Sequence, residues 1–585
     1  MKALQYLNKY YIKYKWKLLL GLVITIWAQL FSIFVPRYVG DVSNLIADYI
    51  GGRIDDLPLF KEKLFHNIAF IFGAAVISAI FTFIMRQTFI VVSRNIEYDL
   101  KNEVYQHYQK LTLNFYKENR TGDLMNRISE DVSRVRDYLG PALMYGVSSV
   151  TLFVVALIFM INKAPMLTLY TAVPFPILSF LVYKLSQAIH RRSTVVQQFL
   201  SKLSSFTQES FSGVAVIKSY GIERQTNASF KVLADGSKDK QIELAKVEAF
   251  FLPLIILLIG GSNILVIYVG GQQFLTGQID QVGTIVEFLL YVNMLTWPVT
   301  SVGFITNMVQ RAEASQKRIN EFLSVEPEIY NTNNTPTEIK GDIEFRNVTF
   351  TYKNTQIKAL KNLSFHLRPG ETLGIIGKTG SGKTTILDLI GRLYDVDTGS
   401  ILIDGQDLRT LNMERLRKSI GYVPQDAFLF SDSILDNIRF GNMDLRREEA
   451  VQAAKYADVH KNIVEFKKGY DTVLGERGLT LSGGQKQRVS IARALALDPT
   501  IYLFDDCLSA VDTETEEVIL ENLSRLSDKK TTIIVSHRIS SVKNADKIIV
   551  LDEGQIVQQG AHKELLKVPG YYQELYKKQL DEKED

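Results

Sequence analysis

The chain has 585 residues, 46% of them hydrophobic and 22% charged, with a formal net charge of +4 at pH 7. So much apolar and aromatic side chain excludes intrinsic disorder, and so small a charge over this length argues against a nucleic-acid binder. One cysteine, Cys507, beside 7 histidines rules out an intrachain disulfide and a Cys/His zinc framework.

The hydropathy is divided along the chain. A membrane helix needs about 20 apolar residues, because about 30 Å of hydrocarbon is crossed at about 1.5 Å per residue. Six nearly uncharged runs approach or meet that length, at 18–35, 68–85, 142–161, 166–183, 249–275 and 288–310. Buried soluble helices could explain one such run but not six. The first run stops at Pro36-Arg37, and the last begins after Glu287. Residues 1–17 hold Lys2, Lys9, Lys13, Lys15 and Lys17 and no acid, and the loops 94–137 and 184–248 are rich in Lys and Arg. The turns near Lys163 and at 276–281 hold almost no positive charge, so both termini and the two long loops are expected in the cytoplasm. The basic start followed by an apolar run mimics a signal peptide, but five more spans follow, so it is read as retained.

The two long loops have helical periodicity and few breakers. They are expected to be membrane helices that run on into the cytoplasm and reverse in short segments able to touch another domain, at 114–131 and 206–223. Among polar groups in or near spans are Asn263, Glu287, Asn293 and Gln310. Glu287 stands at the outer end of its span, where snorkelling or a helix-end role is as good a reading as a transport pathway. Pro174, Pro176, Pro253 and Pro298 read as kinks.

A polar, turn-rich linker at 324–340 separates the membrane domain, 1–323, from a soluble α/β domain, 341–585. Residues 343–352 alternate like a strand, and 372–376 form a short buried-type strand. Next come Gly377, Lys378, Thr379, Gly380, Ser381, Gly382, Lys383 and Thr384, a GxxxxGK[ST] phosphate loop, before a helix predicted at 385–393 that opens with Thr385. The glycines let backbone N–H groups turn toward phosphates, and the helix start adds positive dipole. Lys383 is placed to reach the β- and γ-phosphates, and Thr384 to hold Mg²⁺. Residues 501–506 read as a buried strand ending in two acids, of which Asp505 suits a Mg²⁺-holding role. Between them Leu481, Ser482, Gly483, Gly484 and Gln485 open a helix predicted at 486–497. A second anion-binding helix start is superfluous for one nucleotide but useful for a γ-phosphate held by a partner domain.

Together these motifs resemble an ATP-binding cassette (ABC) exporter half-transporter, and the resemblance covers essentially the whole chain. It implies an all-α six-helix transmembrane domain followed by an α/β P-loop nucleotide-binding domain, with ATP and Mg²⁺ as ligands. Further motifs carry it: Tyr352 in VTFTY resembles the aromatic that stacks on adenine, and Gln425 in GYVPQ the glutamine that senses Mg²⁺ and the membrane domain. Glu476 in GERG resembles the X-loop acid, Asp512 in SAVD the D-loop acid, and His537 in IIVSHR the switch histidine on the γ-phosphate. NFYKENRTGDLMNRISEDV and ESFSGVAVIKSYGIE resemble the two coupling helices.

One position departs. The family usually has glutamate after the Mg²⁺-holding aspartate, as general base, and this chain has Asp506. Its carboxylate is expected to fall about 1.5 Å short, and a misplacement of about 1 Å can cost about 10² in rate. With an intact Ser482–Gln485 turn this resembles the slow-site subunit of heterodimeric multidrug exporters; a homodimer with two such sites is the alternative. The resemblance implies export of a small hydrophobic or amphipathic substrate, drug or lipid, by a multi-pass protein of the inner (cytoplasmic) membrane. An ATP-gated channel or regulatory protein on the same scaffold is the other reading, and 324–340 carries no visible regulatory segment.

Overall fold

A computed structural model of the chain describes residues 2–331, 333, 335, 337–475, 478, 481–526 and 530–584. By its contacts the chain divides into two compact units, Met1–Gln109 with Gly122–Val325, and Lys110–Thr121 with Glu326–Asp585.

The first unit is built on six helices long and apolar enough to cross a membrane: α1 (Lys15–Ile50), α2 (Leu57–Lys110), α3 (Thr121–Lys163), α4 (Pro165–Ser212), α5 (Glu223–Leu275) and α6 (Gly283–Leu323). At 54 residues α2 is about 80 Å long, far more than a bilayer core requires. The loops that looked helical in sequence are thus continuations of these helices. They turn back at 111–120, around the short helix Leu113–Glu118, and at 213–222, around Val214–Tyr220, which Gly221 closes at φ +62°. Both reversals are tighter than 114–131 and 206–223, because residues 121–131 and 206–212 already belong to the long helices. The uncharged run ends at Pro36, but α1 continues to Ile50 with that proline buried, which neighbouring helices make tolerable.

Phe288, Tyr291, Val292 and Leu295 of α6 form the unit's core with Ile33 of α1, Met160 of α3 and Leu167 of α4. Leu257, Ile264 and Tyr268 of α5 stay exposed, the pattern of a lipid-facing wall rather than of a soluble surface. The start of α6 touches α1 backbone to backbone. A side chain on Gly283 would strike the Gly40 carbonyl, and the space is used by Asn44, whose Oδ1 accepts the Gly283 N–H at 2.6 Å. Glu287 does not snorkel: it is buried, accepts the Tyr291 hydroxyl at 2.7 Å, and has the Lys163 ammonium 4.0 Å away. A lysine at the end of α3 therefore comes to the acid. Asn293 spends its amide on the Leu289 carbonyl of its own helix.

The second unit holds two sheets. Strands β1 (Ile343–Tyr352), β2 (Ile357–Leu367), β4 (Thr398–Ile403) and β5 (Gln406–Asp407) form an antiparallel sheet in the order β2-β1-β4-β5. The other sheet comprises β3 (Thr372–Gly377), β6 (Ile420–Val423), β7 (Ile501–Asp505), β8 (Thr531–Val535), β9 (Lys547–Asp552) and β10 (Gln555–Gly560), in the order β10-β9-β3-β8-β7-β6 and parallel except at β10. Its central strands are mostly apolar because both faces are covered. Ile501 and Leu503 of β7 enter one core while Tyr502 and Phe504 enter the other, and Ile549 and Ile548 of β9 divide likewise. This arrangement brings the carboxyl ends of β3, β6, β7 and β8 to one edge, where ligands of open parallel sheets bind. The connecting helices include α7 (Lys383–Ile390), α8 (Gly483–Ala496), α9 (Thr513–Leu526) and α10 (Tyr571–Glu584). Helix α7 begins two residues earlier than the sequence indicates, at the lysine that ends the phosphate loop, and α8 three residues earlier, because its Gly483-Gly484 turn is already helical.

Candidate functional site

The phosphate loop leaves β3 at Gly377, where a side chain would strike the Leu551 carbonyl of β9. Gly382 needs its glycine for a second reason: φ is +99°, and a Cβ would meet the Ala359 carbonyl. The loop closes on Lys383, whose ammonium donates to the carbonyls of Gly377 and Lys378, both at 2.8 Å. Burial pulls the Lys383 pKa down, and Asp506 and then Asp505 push it back up.

Asp505 ends β7 beside β8, paired with Val535, and accepts the Thr384 hydroxyl at 3.1 Å. Burial raises its pKa, the hydrogen bond from Thr384 lowers it, and neighbouring Asp506 raises it again. A buried acid facing a second acid, with a hydroxyl alongside, is an oxygen-donor set suited to Mg²⁺. Ser381 adds a buried hydroxyl with no hydrogen-bond partner among the described residues, inside the loop where phosphate oxygens would supply one. The residues present therefore fit a magnesium–phosphate ligand. Among the described residues no cluster of three His, Cys, Asp or Glu side chains could hold a metal unaided, so phosphate oxygens would have to complete its coordination.

Asp506 lies just past the strand with φ +44°, a left-handed conformation that aspartate tolerates better than most residues. Its N–H donates to the Val535 carbonyl at 2.9 Å, and its Oδ1 accepts the His537 N–H at 3.4 Å. The carboxylate is thus tied to the loop after β8. Burial lowers the His537 pKa, nearby Lys383 lowers it further, and Asp506 opposes both. Lys383, Thr384, Asp505, Asp506 and His537 therefore gather at one sheet edge.

Tyr352 joins them through its hydroxyl, 2.9 Å from Thr385 Oγ1. The sequence did not show that Lys117, on Leu113–Glu118, sits 5.1 Å from the Tyr352 ring and 5.2 Å from the Tyr394 ring. Gln425, after β6, is exposed, and its carbonyl accepts Gln487 Nε2 at 3.4 Å. Gln487 also accepts the Ala510 N–H at 3.3 Å, so one amide of α8 bridges the loops after β6 and β7. The Ser482 turn is a complete capping box: Ser482 Oγ accepts the Gln485 N–H at 3.3 Å, and the Gln485 side chain accepts the Ser482 N–H at 3.0 Å. Gly484 lies against the Ala510 carbonyl, too close for a side chain to fit easily. Asp512 accepts the Thr515 N–H at 2.9 Å at the start of α9. Glu476 lies outside the described residues.

Asp388 on α7 was not read as functional. Burial pushes its carboxyl up to about 6, against a partial offset from Lys117, with Asp505 adding to the rise and a hydrogen bond with Tyr422 opposing it. The folded chain holds this proton more tightly than the unfolded one. Stability from this group is therefore present at low pH and is lost as pH rises through about 6, an effect on the order of 2–3 kcal/mol. Asp388→Asn should raise the unfolding midpoint of the full-length protein most at pH 7.5, about half as much at pH 5 and hardly at all near pH 3.5, flattening the slope between them. Thermal scans at those pH values check this.

In the membrane unit a cavity of about 620 Å³ lies among α3, α4 and α6, lined by Phe153, Phe175, Pro298 and Val299 and by the hydroxyl pair Ser149 and Ser301, 3.1 Å apart. A second space of about 560 Å³ shares Val299, Val302 and Thr306 with it and adds Gln187, His190, Asn307 and Gln310. Both volumes are in the range that holds drug-sized molecules.

Residues 18–299 match the family model described as ABC transporter transmembrane region, and residues 360–509 match that described as ABC transporter. The multidrug resistance-like ATP-binding protein MdlA of Buchnera aphidicola is 35% identical, over 98% of both chains. The ATP-dependent lipid A-core flippase of Syntrophus aciditrophicus is 34% identical, over 84% of this chain and 82% of its own. A solved bacterial Atm1-family ABC exporter with ATP bound superimposes with a TM-score of 0.77 at 27% identity, over 98% of each chain. The chain therefore belongs to the ABC transporter family, as an exporter-type polypeptide that joins a six-helix transmembrane region to an ATP-hydrolysing cassette.

Proposed function

We propose that this chain is one half of a dimeric transporter that uses ATP to export a hydrophobic or amphipathic molecule, drug- or lipid-like, across the cytoplasmic membrane. The observation that carries the reading is that one polypeptide holds both the gathered set Lys383, Thr384, Asp505 and His537 and six membrane-length helices, three of which line a largely apolar cavity. The domain limits of this reading are 1–323, 324–340 and 341–585; the contacts divide at Val325/Glu326, with Lys110–Thr121 joining the second unit, which supports a boundary in this region.

In this scheme Lys383 binds the β- and γ-phosphates, and Gly377–Gly382 present backbone N–H groups to them. Tyr352 stacks on adenine. Thr384, Asp505 and Gln425 would hold Mg²⁺, which when bound would neutralise the charge gathering on the phosphates. His537 contacts the γ-phosphate, and Asp506 orients the attacking water. Ser482, Gly483, Gly484 and Gln485 complete the site on the opposite half-transporter. ATP thereby binds the closed pair of cassettes better than the open one, and this difference in affinity drives the switch. The reversing helices Leu113–Glu118 and Val214–Tyr220 pass closure to the membrane helices, which alternate between inward- and outward-facing forms. With Asp506 short of the usual reach, turnover at this chain's own site is slow, and a heterodimer with a faster partner site fits best. Both termini and the cassette are cytoplasmic.

The test uses inside-out vesicles carrying the purified full-length transporter, with a fluorescent lipophilic dye and a fluorescent phospholipid as probes. ATP-dependent accumulation of either supports export. ATP-gated ion conductance without accumulation would assign the scaffold to a channel, and no ATP-dependent movement at all would sink the reading.

A further inference from the structure

The C-terminal helix α10 reads in sequence as a solvated end, yet it is anchored and aimed. Tyr572 is fully buried in one of the cassette's cores, with its hydroxyl 2.7 Å from His562 Nδ1 and its N–H donating to Gln558 Oε1 at 3.2 Å. Leu575 and Tyr576 pack on the same core. Two turns beyond Tyr572, Gln579 presents its carboxamide to the loop after β8. Its Nε2 donates to the His537 carbonyl at 2.9 Å, and its Oε1 accepts the Ile539 N–H at 2.9 Å. An amide that satisfies a carbonyl and an N–H two residues apart fixes the position and the tilt of that segment.

The His537 peptide is consequently gripped at both ends: Asp506 takes its N–H, and Gln579 takes its carbonyl. The next residue is pinned separately, as the Arg538 guanidinium donates to Glu516 at 2.8 Å and to the Val511 and Ser509 carbonyls at 3.3 and 3.2 Å. Those contacts tie the loop to α9 and the turn before it. None of them sets the His537 carbonyl; Gln579 does. The helix also reaches the other side of the site, where the Lys378 ammonium of the phosphate loop lies 6.0 Å from the Tyr571 ring.

We infer that Gln579 is a positioning residue for ATP hydrolysis, holding the loop that carries His537 at the γ-phosphate and so making α10 part of the cassette's hydrolytic machinery. The inference rests on the role of His537 proposed above. Gln579 touches no reacting atom; it acts through the placement of an imidazole, for which an error of about 1 Å can cost about 10² in rate.

The experiment measures steady-state ATP hydrolysis and trinitrophenyl-ATP binding by the purified full-length transporter. The variants are Gln579→Ala, Gln579→Glu, His537→Ala and the Gln579→Ala/His537→Ala pair. Gln579→Glu keeps the acceptor for Ile539 but loses the donor for His537. Gln579→Ala is expected to lower kcat about 10-fold or more while KM for ATP and trinitrophenyl-ATP binding stay within about twofold. Gln579→Glu should be no faster than Gln579→Ala, because it sets an acceptor against the His537 carbonyl. The double variant should be no slower than His537→Ala alone, since both changes disable one unit.

Additive losses in the double variant, or an unchanged kcat in Gln579→Ala beside a crippled His537→Ala, would overturn this inference and leave the proposed function standing. Loss of nucleotide binding in both Gln579 variants would reduce the contact to a structural one and likewise overturn it. Full activity of His537→Ala would remove the role of His537, and that of Gln579 with it.

Discussion

Lys383→Ala should abolish ATP-driven transport and lower hydrolysis at this chain's own site by about 10²–10³-fold, the usual cost of removing a preorganised donor to developing charge. The ammonium is buried at the mouth of the loop and held by two carbonyls at 2.8 Å, with Asp505 and Asp506 close enough to shift its pKa. Burial lowers the pKa of His537, and the Lys383 charge lowers it further. Without that charge, two acids face the phosphates unopposed, and like-charge repulsion is added to the lost contact. Nucleotide binding, phosphate release and vesicle transport read the effect together. Transport retained in Lys383→Ala would break the proposed coupling of nucleotide to export.

Asp506→Glu should act in the opposite direction, raising turnover at this site by about 10- to 100-fold. The aspartate carboxylate is drawn toward the His537 N–H at 3.4 Å, and its backbone is fixed by the bond to Val535 at 2.9 Å. The backbone therefore cannot advance to offset the short side chain. One more methylene extends the carboxylate by about 1.5 Å past that anchor, toward the water it must orient. The gain carries a cost in stability. At φ +44° glutamate is less at ease than aspartate, so the unfolding midpoint should fall slightly even as the rate rises. Phosphate release and a thermal scan on the same preparation check both halves. An unchanged or lower rate would mean that Asp506 already works at full reach, and the case for a slow site and a dissimilar partner would fall with it.

How much could be read beforehand depended on how local each feature is. The phosphate loop was legible because glycines, lysine and threonine must stand at fixed spacing for a backbone to wrap a phosphate, and Gly377–Thr384 keep that spacing. The six spans were legible because hydrocarbon thickness sets a length and a composition. The reversing segments were placed correctly but too broadly, since helical periodicity runs through 121–131 and 206–212 without a break. Glu287 was left open between a transport pathway, snorkelling and a helix-end role, of which its burial removes snorkelling. Its burial depends on Lys163 at the end of α3, more than a hundred residues away, which nothing in its own span reveals. Gln579 and Lys117 were not seen for the same reason. An amide on an amphipathic terminal helix and a lysine in a basic loop are unremarkable until the fold places them against His537 and Tyr352.

The amino-acid sequence by itself determined the family and the two kinds of domain, because these follow from local spacing and from apolar run length. Only the tertiary structure decided which groups constrain one another. Parallel strands β3, β7 and β8 bring Lys383, Asp505 and His537 to a common edge, a left-handed turn sets the aim of Asp506, and α10 returns to hold the loop after β8. Those placements come from burying both faces of a sheet between two cores. That is a property of the closed chain, and no short segment carries it.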